Sequence, residues 1–320
     1  TDSIRQALIP DGARWLKNPF GTAPGFIIEL SSGVIIALPG PPREMQPMME
    51  DRVIPYLKNR AKGSGHGAEK KAIIKSRSIR LIGLAEAAVN EKVRDLLNLG
   101  GAVQVGIYAR QGEVDLKIMV KARDSKAADA GIAKIEAAIR KRLGRYIYGV
   151  DKETLEEAVG KLLTAKKKTL AVAESCTGGL IASLITNVHG SSRYFREGIV
   201  AYSNEAKVRY LDVPLELIKD RGAVSKQVAV KMASGIRKKA DADIGIGLTG
   251  ITGPAGAART KPAGLVYIAV SIKNKIICGQ YNFIGSRIEI KLQAAQAALD
   301  LIRNAITNDL QGQNNVLSLH

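Results

Sequence analysis

Aromatic residues are scarce. Phenylalanine, tyrosine and tryptophan make up 4% of the 320 residues, and Trp15 is the sole tryptophan. Buried cores must therefore be aliphatic, a composition that suits α/β sheets whose strands read as continuous branched runs. Cysteine is scarcer still. Cys176 and Cys278 are the two, far apart in the chain. A disulfide framework is excluded, and a reducing cytoplasm is the expected compartment. No apolar stretch reaches the roughly 18 uninterrupted residues that a membrane span needs, and no signal peptide is expected. With three histidines and no cluster at ligand spacing, the expectation is no metal and no cofactor. The chain starts at Thr1 inside what reads as an ongoing segment, so a truncated N-terminus is expected.

Positive charge is abundant: 48 Lys and Arg against 30 Asp and Glu, a formal net charge of +18. Such an excess can mark a surface for polyanions. The basic runs Arg140-Lys141-Arg142, Lys166-Lys167-Lys168 and Arg237-Lys238-Lys239 are spread along the chain, however, without interleaved aromatics. A solvated, lysine-rich surface accounts for them more simply.

The length accommodates two or three domains of roughly 100–200 residues. Residues 1–62 hold the strand-like runs Phe26-Ile27-Ile28 and Val34-Ile35-Ile36-Ala37-Leu38, then a helix over Arg43–Asn59 bent at Pro47 and Pro55. The Gly-rich stretch 61–68, which contains His66, reads as a flexible linker. Residues 70–150 predict a β-α-β-β-α-β unit. Strand 72–81 comes first, then a helix over 83–97 with apolar positions spaced by three and four. A hairpin of 103–109 with 114–120 follows, then a helix capped by Asp124 or Ser125 and a closing strand at Tyr146–Tyr148. In residues 151–312 strands alternate with helices: helix 154–165, strand 169–173, helix 180–188, strand 199–202 and helix 204–211. Helix 226–240, strand 244–249, a hairpin over 264–283 and helix 287–304 complete the unit. That order predicts a layered sheet with helices on both faces.

Three constellations carry candidate chemistry. At Glu174-Ser175-Cys176-Thr177-Gly178-Gly179 a buried strand runs into the start of a helix, whose unpaired N–H groups can hold an oxyanion while Ser175 attacks a carbonyl. An ordinary N-cap fits the same residues equally well. Tyr202-Ser203-Asn204-Glu205-Ala206-Lys207 sets a lysine one helical turn after a strand end, where desolvation could make it a base; a solvated helix lysine is the plainer reading. Thr249-Gly250-Ile251-Thr252-Gly253-Pro254-Ala255-Gly256, followed by Lys261, is a Gly-rich loop after a strand, suited either to a phosphate or to a plain turn.

Taken together with Gly190-Ser191-Ser192 and Gly222-Ala223-Val224-Ser225, these motifs run in one order from about Thr154 to Leu301. The segment resembles the C-terminal domain of the CinA (competence/damage-inducible) family, the nicotinamide-mononucleotide deamidases. The resemblance implies an α/β/α domain that is commonly oligomeric, here expected as a homodimer, acting on a small-molecule nucleotide. By that resemblance Ser175 is the nucleophile, Lys207 the base and Tyr202 a helper. Cys176, Thr177, Gly178, Gly179, Asn204, Gly250, Thr252, Gly253 and Arg287 would bind substrate or oxyanion.

Residues 70–150 resemble the family's KH-like domain, and 18–26 with 38–45 the tail of its molybdopterin-binding-like α/β domain. The pyrophosphatase activity linked to that first domain is expected to be lost with the missing part. Ala255, Ala257 and Ser286 depart from the family pattern. A rival reading is a catalytically weak nucleotide- or nucleic-acid-binding adaptor, against which residues 70–150 lack a Gly-X-X-Gly clamp loop.

Overall fold

The computed structural model describes residues 9–63, 72–253, 261–273 and 275–308. Contacts divide the chain at Lys71 into two units. In the first, β1 (Arg14–Leu16), β2 (Gly25–Leu30) and β3 (Gly33–Ala37) form an antiparallel sheet. Helix α1 (Pro42–Met48) then widens into a π turn, Met49–Val53, before continuing as α2 (Ile54–Gly63). The π turn has a cause: Pro55 has no N–H to close the ladder and its ring crowds the preceding turn, and the wider turn relieves both. Leu16, Ile27, Met48 and Val53 form the core. Ala61–Gly63 belong to the helix rather than to the expected linker, whose remainder, with His66, lies outside the described residues.

The second unit begins with β4 (Ile73–Ile82), α3 (Glu86–Leu97), β5 (Val103–Arg110), β6 (Glu113–Ala122), α4 (Ser125–Leu143) and β7 (Ile147–Val150). This is the expected β-α-β-β-α-β order, laid out as the antiparallel sheet β5-β6-β4-β7. Asp124 is the N-cap of α4, its carboxylate accepting from the Ala127 N–H at 2.8 Å. Both helices cover one face of the sheet, around Val89, Leu116, Ile118 and Ile139.

The remainder is built from α5 (Leu155–Ala165), β8 (Leu170–Glu174), α6 (Leu180–Thr186), β9 (Phe195–Val200), α7 (Asn204–Leu211), α8 (Leu215–Arg221), α9 (Lys226–Lys239), β10 (Ile244–Gly250), β11 (Leu265–Ile272), β12 (Lys275–Asn282) and α10 (Arg287–Asn308). The sheet order is β12-β11-β10-β8-β9. Strands β10, β8 and β9 are parallel, whereas β11 and β12 are antiparallel additions. Helices α5, α6 and α10 pack on one face around Leu163, Ile181 and Leu299, and α7, α8 and α9 on the other around Leu211, Ile218 and Ile236. The architecture is α/β/α as expected, with two differences. The strand expected at 199–202 spans 195–200, which leaves Tyr202 in the turn beyond it, and α8 had no counterpart in the sequence pattern.

The two parts of this second unit share buried surface. Tyr148 and Ile82 join the core of the α/β/α layers. Gln296 on α10 donates to the Gln111 carbonyl at 3.0 Å, and Arg303 donates to the Arg145 carbonyl at 2.8 Å. No helix among the described residues is long and apolar enough to cross a membrane.

Helix α9 rests directly on β10 because neither side has bulk. A Cβ on Gly247 would stand 2.3 Å from the Ala233 nitrogen, and one on Gly245 2.2 Å from the Ala233 carbonyl oxygen. Gly247→Val should therefore lower the unfolding free energy by about 3 kcal/mol, the upper end for overpacking a core. Urea unfolding measures it, and an unchanged midpoint would contradict the close contact.

Candidate active site

Strand β8 ends at Glu174, and the chain turns through Ser175-Cys176-Thr177 and two glycines into α6. Gly178 and Gly179 take φ of +65° and +97°, which glycine adopts without the Cβ penalty of other residues. The Glu174 side chain, 1% exposed, folds back over the turn. Its carboxylate accepts from the N–H groups of Gly179 (2.9 Å), Ile181 (3.2 Å) and Ala182 (2.8 Å). A negative charge thus satisfies amides at the positive end of the helix.

That cap decides which amides are left for a ligand. The Gly179 N–H is held by Glu174, and the Gly178 N–H donates to the Ser175 carbonyl at 3.1 Å. The Cys176 and Thr177 N–H groups have no hydrogen-bond partner among the described residues. The Thr177 side chain is fully buried and its hydroxyl lacks a partner. Thr177, Gly178 and Gly179 do not line the cavity beside Ser175, whereas Cys176 does. Burial pushes the Cys176 thiol up to about 12, so it stays protonated near neutrality and is no rival nucleophile.

Lys207 arrives from the opposite side. Ser203 caps α7 by accepting from the Ala206 N–H at 3.1 Å, and Lys207 lies in the helix's first turns. Its side chain is 1% exposed. Nζ lies 3.0 Å from the Ser175 Oγ and donates to the carbonyls of Ala201 (2.9 Å), Tyr202 (3.0 Å) and Ser203 (3.4 Å). Burial, by desolvating the ammonium, lowers its pKa from the ordinary lysine value. In the neutral amine two N–H bonds serve the two nearer carbonyls, and the lone pair is left for the Ser175 hydroxyl.

The cavity, about 780 Å³, is lined by Ser175, Cys176, Lys207 and Ile290 together with Ala223, Val224 and the 249–253 loop. Asn204, Gly250, Thr252 and Gly253 also line it, Thr252 being buried. Tyr202 and Arg287 meet across 85 residues of sequence: Arg287 Nη2 donates to the Tyr202 hydroxyl at 2.9 Å. Gly253 adjoins them, since a Cβ there would stand 3.3 Å from Arg287 Nη1. Lys261 also lines the cavity, but its ammonium donates to the Arg221 and Val224 carbonyls at 2.9 and 2.8 Å, which makes it a brace for the chain after α8. Ser286 and Glu289 form reciprocal bonds at the start of α10, Ser286 N–H to Glu289 Oε2 at 2.7 Å and Glu289 N–H to Ser286 Oγ at 3.4 Å. Ser286 is thereby a helix cap. Pro254, Ala255, Gly256 and Ala257 lie outside the described residues.

Three features escape sequence reasoning: the capping role of Glu174, the apolar wall of Ala223 and Val224, and the base at Ile290. The first was within the quoted motif, where a buried carboxylate just before a helix start is the signal for a cap. No group of three or more His, Cys, Asp or Glu among the described residues is placed to hold a metal.

Fold and site define an α/β/α domain with a buried lysine amine against the serine of a strand-to-helix turn. The model of the CinA C-terminal domain matches residues 152–306, and that of the damage-inducible protein CinA KH domain matches residues 76–149. A CinA-like protein of Kosmotoga olearia is 45% identical over 304 residues, which cover 95% of this chain and 72% of that protein. A CinA-like protein of Dictyoglomus thermophilum is 43% identical over 306 residues, covering 96% and 72%. The crystal structure of the competence/damage inducible protein CihA from Agrobacterium tumefaciens matches 48% of this chain and 93% of its own, with 35% identity and a TM-score of 0.47. The chain belongs to the CinA family.

Glu174→Gln replaces a carboxylate that accepts three N–H bonds with an amide that can offer only one acceptor oxygen. Thermal stability should fall by the equivalent of about 3 kcal/mol, the size expected for hydrogen bonds to a buried charge. An unshifted melting curve would show that the carboxylate does not hold the turn.

Proposed function

We propose that the α/β/α domain hydrolyses the carboxamide of nicotinamide mononucleotide to nicotinate mononucleotide and ammonia. The observation that carries this reading is the Lys207 amine, buried among carbonyls 3.0 Å from the Ser175 Oγ. Neutral Lys207 takes the hydroxyl proton as Ser175 Oγ bonds to the amide carbon. The N–H group of Cys176, the residue of this turn that lines the cavity beside Ser175, donates to the oxyanion of the tetrahedral adduct. Lys207 returns the proton to the amide nitrogen, the C–N bond breaks, and ammonia leaves an acyl-serine. Water, deprotonated by Lys207, attacks the ester, and the proton restores the Ser175 hydroxyl.

The cavity volume of about 780 Å³ lies within the roughly 300–1,000 Å³ typical of small-molecule sites. Its mouth suits a phosphate monoester: Arg287 supplies a planar cation, Tyr202 holds it, and Gly250, Thr252 and Gly253 bring the loop alongside. The same reading includes a homodimer. Ile284 and Ile288, 89% and 78% exposed beside this mouth, supply apolar surface for a second copy.

Ammonia release tests the chemistry. Ser175→Ala should abolish turnover with the fold intact, and Lys207→Arg should be inactive because arginine does not deprotonate. Since the base must be neutral and burial lowers its pKa, kcat/KM should rise with pH through an ionisation below the ordinary lysine range. Turnover in Ser175→Ala, or a rate that falls over that window, would refute the pair.

Arg287→Ala should raise KM for the mononucleotide by about ten- to a hundredfold, the range for losing a charge-assisted bond, with less effect on the dephosphorylated riboside. Equal changes for both substrates would remove Arg287 from phosphate binding.

A further inference from the structure

The Ser175 cavity carries cations and no counter-charge. Among the described residues no Asp or Glu lines it, whereas Lys207, Lys261 and Arg287 do. Lys261 is taken up by the Arg221 and Val224 carbonyls, and Arg287 donates to the Tyr202 hydroxyl at the mouth. Lys207 meets only neutral groups: the carbonyls of Ala201, Tyr202 and Ser203 and the Ser175 hydroxyl. The carboxylates on the elements around it are committed or wet. Glu174 accepts three N–H bonds at the start of α6, Glu289 accepts from the Ser286 N–H on α10, and Glu205 lies exposed on α7. The Cys176 thiol, kept protonated by burial, adds no charge.

An ammonium at this place has no opposite charge to meet, and burial accordingly favours the neutral amine. The amide substrate does not change that. Its carboxamide is neutral, and its pyridinium ring is a further cation. Hydrolysis does change it. Deacylation leaves a carboxylic acid where the acyl-serine stood, beside an amine 3.0 Å from Ser175 Oγ. The acid O–H breaks, its proton bonds to the lone pair of Nζ, and a carboxylate is left against an ammonium. Two N–H bonds of Nζ already serve the Ala201 and Tyr202 carbonyls, so the new one is directed at Ser175 and the product. Such a charge-assisted bond is shorter and stronger than its neutral counterpart, the more so away from water.

We infer, resting on the amidohydrolase reaction proposed above, that Lys207 holds the acid product as an ammonium–carboxylate pair, so that the product restrains its own formation most strongly at low pH. The acid, and not the amide, is the ligand matched to the ionised site. Each step needs a different form of Lys207: catalysis the neutral amine, product retention the ammonium. A bound carboxylate raises the Lys207 pKa, so product binding takes up a proton in the window between the free and the product-bound values. Below that window both states hold the proton, and affinity for the acid is constant and highest. Within it affinity falls about tenfold per pH unit. Turnover rises with pH toward the lower edge of the same window, so the amine becomes fully active where the hold of the product begins to weaken.

The test is calorimetric titration of the full chain carrying Ser175→Ala, which binds without turning over. Nicotinate mononucleotide and nicotinamide mononucleotide are titrated in two buffers of different ionisation enthalpy. Below the ionisation of the amine the acid should bind about ten- to a hundredfold more tightly than the amide, the range for a hydrogen bond to a charged group. Within the window it should take up about one proton, and the amide none. Lys207→Met, which keeps the length of the side chain without the amine, should lose both the preference and the proton uptake, and thermal melts check that each variant is folded. In the parent chain the acid should inhibit ammonia release competitively, with an inhibition constant that rises about tenfold per pH unit above the ionisation seen in kcat/KM. Ammonia release by the parent separates the two claims. If ammonia is released but the acid binds Ser175→Ala no more tightly than the amide, or binds without proton uptake, the product pair is overturned and the reaction stands. An acid preference that persists in Lys207→Met would also overturn it, and would move the partner of the carboxylate to Arg287. If the parent releases no ammonia, the reaction fails and the product pair fails with it.

Discussion

A lysine amine held away from water is the constraint around which the α/β/α domain is arranged. Removing Lys207 from solvent disfavours its charged form, and no carboxylate is hydrogen-bonded to Nζ. Carbonyl dipoles from three successive residues, Ala201, Tyr202 and Ser203, take its N–H bonds instead. Those carbonyls converge because β9 stops at Val200 and the chain bends before Ser203 caps α7. A longer strand would have carried Tyr202 into the ladder and dispersed them. An apolar side chain at this place would fill the same volume without a desolvation cost. Packing alone therefore does not account for the cost, and the atom that Nζ meets beyond the carbonyls is the Ser175 oxygen.

The serine side of the pair is fixed by a different economy. Helix α6 has only a few free amides at its start, and Glu174 takes three of them, counting Gly179 just ahead of the helix. The carboxylate thereby caps the turn and leaves the amides of Cys176 and Thr177, which follow Ser175 in the chain, outside the cap. The third wall follows from small residues. Glycines at 245 and 247 let α9 lie against β10, and the Thr249 hydroxyl, at the end of that strand, donates to the Ala223 carbonyl at 2.9 Å. Packing in the core is thus transmitted to the loop that closes the cavity.

Much of this was legible in the sequence, for reasons that differ by element. Asp124 announces its helix because a cap is a local bond, accepting from the backbone three residues on, and the structure shows Thr154, Ser203 and Ser225 to be caps of the same kind. The order of strands and helices in both parts of the second unit was readable from periodicity, but the mixed direction of the five-stranded sheet was not. A hairpin such as β11-β12 has the same pattern whichever strand it joins. Ser175, Lys207 and Tyr202 were singled out through motifs, yet nothing local distinguishes Gly178, which does not line the cavity, from Gly253, which does. The same limit applies to Lys261, whose carbonyl partners lie 37 and 40 residues earlier. Contacts made across the fold leave no periodic trace.

The two parts of the second unit are joined by the polarity of one strand. The acidic end of β6 is where Gln296 of α10 reaches the sheet, and Glu113 is buried enough there that desolvation raises its pKa despite the Tyr148 hydrogen bond. Arg303, on the same helix, reaches the carbonyls of Arg145 and Ile147 next to β7. Helix α10 therefore begins at the mouth of the cavity with Arg287 and ends against the neighbouring sheet. One helix thus runs from the lining of the Ser175 cavity to the acidic end of β6 and the carbonyls beside β7.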